Sequence, residues 1–116
     1  MTAQERLLIE KHLATLIVKE ARAHGWTVSV HDGEEYTLEK ADDEESILDE
    51  MFSTDEDALH FFDPTRRNRS MGWIQLIYGN EGHDVVHDYS GNLDAFMKPI
   101  EAEANRIERE GLVPTR

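Results

Sequence analysis

Between residues 71 and 78 the chain sets Trp73, Ile74, Leu76, Ile77 and Tyr78 almost side by side. Successive side chains of a strand point to opposite faces, so a strand here is apolar on both. Such a strand belongs in the middle of a sheet, covered on both sides or buried by a partner. The rest of the sequence must therefore supply neighbouring strands and layers to pack over them.

Residues 26–30 and 36–40 alternate apolar and polar side chains on either side of Asp32 and Gly33, the pattern of a hairpin. A two-residue turn would oppose Val30 to Glu35 and Val28 to Thr37. A three- or five-residue loop opposes Val30 to Tyr36 and Val28 to Leu38, like with like, and is the expected form. Residues 57–62 predict a third strand ended by Pro64, and residues 83–89 a last one after the turn at 79–82.

Helices frame these strands. Thr2 and Glu5 have the spacing of a capping box; Leu7, Leu13, Leu16, Ile17 and Ala21 recur at helical period, and Gly25 offers a stop. Residues 42–52 predict a short helix capped by Asp42, with Ile47, Leu48, Met51 and Phe52 as its apolar stripe. Asn92 caps a final helix carrying Leu93, Phe96, Met97, Ile100, Ala104 and Ile107, in which Pro99 predicts a kink or a break. Trp26 and Trp73 read as core anchors. The order α-β-β-α-β-β-β-α reads as a single α+β domain over residues 1–116: an antiparallel sheet of about five strands with helices packed on it and a loose tail at 111–116.

At 116 residues the chain can bury a core of its own. It has no cysteine, which removes disulfides, thiolate nucleophiles and cysteine zinc sites from consideration and suits a reducing compartment. Charged residues interrupt positions 1–22, unlike a secretion signal, and no apolar run reaches the roughly 18 residues of a membrane span. A soluble, cytoplasmic protein that avoids membranes is expected.

The formal charge is −13, and it is unevenly spread: residues 32–57 hold thirteen of the 25 acids against one base, Lys40. Such a field repels phosphate backbones and draws in basic surfaces, so direct nucleic-acid binding is not expected. Arg66, Arg67 and Arg69 form one small basic cluster without interleaved aromatics, which makes a poor nucleic-acid groove.

Chemistry-bearing motifs are sparse. His83, Asp84, His87 and Asp88 form two His-Asp pairs, which on a helix would present both imidazoles to one metal. On the strand expected here the two histidines stand roughly 13 Å apart at about 3.3 Å per residue, too far for one ion. Asp55 and Asp57 lack the glycine and late glutamate of a calcium loop, Glu39 and Lys40 point to opposite faces of a strand, and no serine or threonine has a hydrolase context. No catalytic, cofactor-binding or metal-ligating residue is assigned.

The segments Thr54-Asp55-Glu56-Asp57, Gly72-Trp73-Ile74-Gln75-Leu76-Ile77-Tyr78-Gly79-Asn80, Asp84-Val85-Val86, Asp88-Tyr89 and Asn92-Leu93, with the hairpin Val28-Ser29-Val30-His31-Asp32-Gly33-Glu34-Glu35 before them, resemble small uncharacterised proteins encoded by tailed phages and prophages. The resemblance implies a setting, a cytoplasmic accessory protein of a mobile element, and assigns no residue a role.

The functional expectation is a non-enzymatic interaction protein that meets a basic surface of a host or phage protein through Asp42, Asp43, Glu44, Glu45, Asp49, Glu50, Asp55, Glu56 and Asp57. Its sharper form is nucleic-acid mimicry, carboxylates standing in for phosphates against a host defence. The alternatives are a homo-oligomeric assembly protein, as a homodimer through the apolar strands, and a small metal-dependent enzyme using His83 and His87.

Overall fold

The computed structural model describes residues 1–79 and 81–111; the tail expected at 112–116 and Asn80 of the expected turn lie outside the described residues. Helix α1 (Ala3–Ala23) starts at the expected capping box, Thr2 and Glu5 each accepting the other's backbone N–H. It stops at His24, after which Gly25 takes φ 78°. Five antiparallel strands follow in the spatial order β2-β1-β3-β4-β5: β1 (Thr27–His31), β2 (Tyr36–Ala41), β3 (Glu56–Asp63), β4 (Arg69–Ile77) and β5 (Val86–Tyr89). Helix α2 (Glu44–Glu50) links β2 to β3, and α3 (Asp94–Glu110) closes the described chain. The expected fold class and element order hold.

All three helices bury their apolar sides with one face of the sheet. Ile9, Leu13 and Ile17 of α1, Ile47 of α2, and Phe96, Met97, Ile100 and Ile107 of α3 join Val28, Val30, Leu59, Phe61, Ile74 and Leu76 in one core. Trp26 stacks on Phe96 at 5.3 Å between ring centroids and is buried, as an anchor should be. Trp73 is not: its side of β4 faces away from the helices and it is 39% exposed. Strand β4, fourth of the five and not the middle one, is therefore covered on one face by this chain and open on the other.

The hairpin departs from both expected loop lengths. Four residues, 32–35, connect the strands, with Asp32 N–H donating to the Glu35 carbonyl and Asp32 Oδ1 accepting from Glu34 and Glu35 N–H. His31 opposes Tyr36, Val30 opposes Leu38 and Val28 opposes Ala41. Strand β2 thus carries two extra residues in bulges, and Lys40 adopts φ 48° with its N–H on Ser29 Oγ. The bulges restore like-with-like pairing that an unbroken ladder could obtain only from an odd loop.

Other boundaries shift for local reasons. Asp43, not Asp42, caps α2, and Phe52 falls beyond the helix at φ 69°. His83 sits in a 3₁₀ turn (Gly82–Asp84), so the last strand is shorter than expected. Asn92 caps nothing; it lies in a 3₁₀ turn (Gly91–Leu93) and donates to the Met71 carbonyl, tying the start of α3 to β4. Helix α3 runs through Pro99 as one element.

Candidate interaction surfaces

Helix α2 is held by Ile47, fully buried, and by Leu48 and Met51 against the core, which leaves its acidic side outward. Asp42, Asp43, Glu45, Asp49, Glu50 and Asp55 are exposed. Glu44 is partly covered and lies 2.8 Å from Lys19 Nζ on α1. Asp43 accepts from Ser46 Oγ at 2.6 Å and Ser46 N–H at 3.1 Å, and these bonds hold its carboxyl below the usual aspartate range. The helix cap thus stays ionised beside its neighbours.

The acidic edge continues where two loops meet. The single Thr54 O–H is shared between the carbonyls of Glu56, at 2.7 Å, and Asp32, at 3.1 Å, which brings the segment before β3 against the hairpin. Asp32, Glu34, Asp55 and Glu56 line the shallow depression between them. Gly33, at φ +104°, gives the room: a Cβ there would lie 2.7 Å from Glu56 Oε1. The arginine cluster does not fold across this edge; Arg66 approaches Asp63 of its own turn at 3.6 Å.

Asp57 must be removed from the contact set. It opposes Leu76 on the core side of β3 and is 1% exposed. The alternation Asp57-Leu59-Phe61 turns all three inward, a period-two signal legible in the sequence. Its Oδ2 accepts from Tyr78 O–H at 2.6 Å and Phe52 N–H at 2.9 Å. Burial pushes the Asp57 carboxyl up, and burial beside that carboxylate pushes the Tyr78 hydroxyl up. The residue clamps the left-handed Phe52 corner to the end of β4 and is not available to a partner.

Sequence reasoning missed a second buried acid. Glu10 of α1 is fully buried and accepts from Gly79 N–H at 2.9 Å and Gly82 N–H at 2.8 Å. It pins the β4–β5 connection onto the helix. The signal was present: Glu10, Leu13, Ala14, Ile17 and Ala21 keep one helical stripe.

The two His-Asp pairs do not converge. His83 Nε2 lies 3.6 Å from Asp84 Oδ2 and 3.5 Å from Glu108 Oε2 of α3, whereas His87 is exposed on β5. Among the described residues no group of three or more His, Asp and Glu side chains is placed to hold a metal ion. No described helix is long and apolar enough to cross a membrane.

The open sheet face was foreseen only as a need for cover. Tyr36 packs edge-on against His31 at 4.8 Å between centroids, and its hydroxyl is 3.5 Å from His60 Nδ1. His60 Nε2 lies 2.7 Å from Ser70 Oγ, and its ring is 4.3 Å from that of Phe62. Lys40 Nζ sits 4.9 Å over the Phe62 ring. Burial, then the nearby Lys40 charge, pushes the His60 imidazole down.

Comparison of the chain with protein-family models, with curated proteins and with solved structures finds no match.

Proposed function

We propose that this chain is a non-enzymatic, acidic interaction protein of phage or prophage origin that docks in the cytoplasm on a basic surface of a host or phage protein. The observation that carries the reading is the exposed set Glu45, Asp49 and Glu50 on a helix whose apolar side is locked into the core, preceded by its cap Asp43 and by Asp42 and continued by Asp55, Glu56 and the hairpin acids. A rigid row of carboxylates steers a basic partner over about a Debye length, roughly 8 Å at physiological salt, and fixes its register at contact. In the sharper form the partner is a nucleic-acid-binding protein and the row occupies its phosphate track, so duplex DNA competes for the complex.

The test is affinity capture from host cytoplasm with three forms of the protein. Reversing Asp42, Glu45, Asp49 and Glu50 to lysine removes the row while sparing the Asp43 cap. A control with the same change in net charge reverses Glu81, Asp88, Glu108 and Glu110, all exposed elsewhere. The reading predicts a salt-sensitive partner kept by the control and lost by the α2 variant. Partners that survive the α2 reversals, or that both variants lose equally, overturn it.

A further inference from the structure

We infer that the open face of the sheet is the interface of a homodimer, two copies packing face to face across all five strands. An antiparallel sheet with one wet face alternates apolar inward and polar outward. This sheet keeps that alternation at Ser29, His31, His60 and Gln75 but breaks it with Tyr36, Phe62, Trp73 and Ile77 on its outer face, Tyr36 47% and Trp73 39% exposed. Both are among the large apolar side chains that lie most open in the described structure.

The occupant follows from how charge is laid out along the strands. At one end of the face Lys40 reaches over Phe62, and Arg66 and Arg67 stand exposed in the turn beyond, with Arg69 exposed at the start of β4. At the other end lie Glu56 and, past it, the hairpin acids Asp32 and Glu34. Between them run the cross-strand rows Ser29-His60-Trp73 and His31-Ala58-Gln75, which hold no formally charged acid or base until the second ends at the exposed Asp88 on β5. A half-turn about an axis lying across the strands sets each basic end over the partner's acidic end and brings the aromatic rows together. A patch that matches itself after a half-turn is what a two-fold interface requires.

Size is adequate. At about 3.3 Å along and 4.8 Å across per residue, the strands project roughly 500 Å². Side-chain relief raises this toward the ~800 Å² that each partner gives a standard interface. Helix α2 lies on the opposite face of the sheet, so the dimer and the α2 carboxylates are separate surfaces that meet only at the rim of Glu56, Asp32 and Glu34, and the α2 reversals probe one without the other.

Sedimentation equilibrium of the full chain tests the inference. The mass should tend to twice the 13.4 kDa of one chain as concentration rises into the ~100 μM range. Because the like net charges of two copies repel at long range, the dimer should persist when salt is raised to about 0.5 M. Trp73→Glu and Tyr36→Arg, each at an exposed position, should weaken it at least about tenfold, with folding checked by circular dichroism. The four α2 reversals should leave it intact. A monomer throughout this range overturns the inference, as does a dimer indifferent to both face variants. So does a monomer whose face binds a labelled oligothymidylate, read by anisotropy and lost in Trp73→Glu, because the face would then serve single-stranded nucleic acid.

Discussion

Replacing Asp57 by alanine strips the acceptor from both the buried Tyr78 hydroxyl and the half-buried Phe52 N–H. Leaving buried donors unpaired costs roughly 1–3 kcal/mol, so urea denaturation of Asp57→Ala should show a loss of that order. Asp57→Asn keeps an acceptor oxygen and should lose less. An unchanged midpoint for the alanine variant would remove the clamp from this account. Glu10 follows the same logic on the same, helix-covered face of the sheet, where one carboxylate serves two glycine N–H groups. Both acids lie on apolar stripes that the sequence displays openly. They are hidden among the surface charges unless the period that marks leucine and valine is extended to their polar neighbours.

At the scale of elements, α1 and α3 are joined through one carboxylate. Glu103 accepts from Arg106 Nε at 2.6 Å and lies 2.7 Å from His12 Nε2 on α1. The Arg106 bonds, then the His12 bond, hold its carboxyl down at about 2, against an ordinary value of 4.5. A depressed acid stabilises the fold fully above its unfolded value and loses that contribution as pH falls through the folded one. The stability gap between the wild type and Glu103→Gln should therefore be present at pH 7, about 1 kcal/mol for a partly exposed pair, and should close between about pH 4.5 and 2. Denaturation curves across that window check it; a gap that stays constant contradicts the assignment. Element identity was legible from capping, period and turn residues. Strand register in the hairpin was not, because two bulges changed the parity on which the register argument rested. Trp73 misled for a related reason: alternation says which residues share a face, and only the count of available helices says which face is covered.

Across the whole molecule, a charge of −13 on a chain whose radius of gyration is 13.6 Å presses outward on the folded state. Salt screens that repulsion, so the melting temperature should rise by a few degrees when sodium chloride goes from about 10 to 200 mM, as the Debye length shrinks from roughly 30 to under 10 Å. A melting temperature that falls with salt would mean that local pairs such as Lys19–Glu44 outweigh the net field. The clustering of acids in residues 32–57 was readable in advance. Their division into an exposed helical row, a loop depression and one buried clamp needed three dimensions, since it depends on how α2 rolls onto the core and where β3 begins.

The two margins of the sheet differ from its middle in a way that shapes how copies can meet. At one margin the chain offers only the four residues of β5, and at the other the doubled bulges of β2 twist its outer rim out of line. A further strand arriving at either margin finds no straight run of backbone donors and acceptors to copy. Growth into open-ended fibres by strand addition is thereby blocked, and a crowded solution of this protein should stay free of ordered aggregates even though so much aromatic surface stands uncovered.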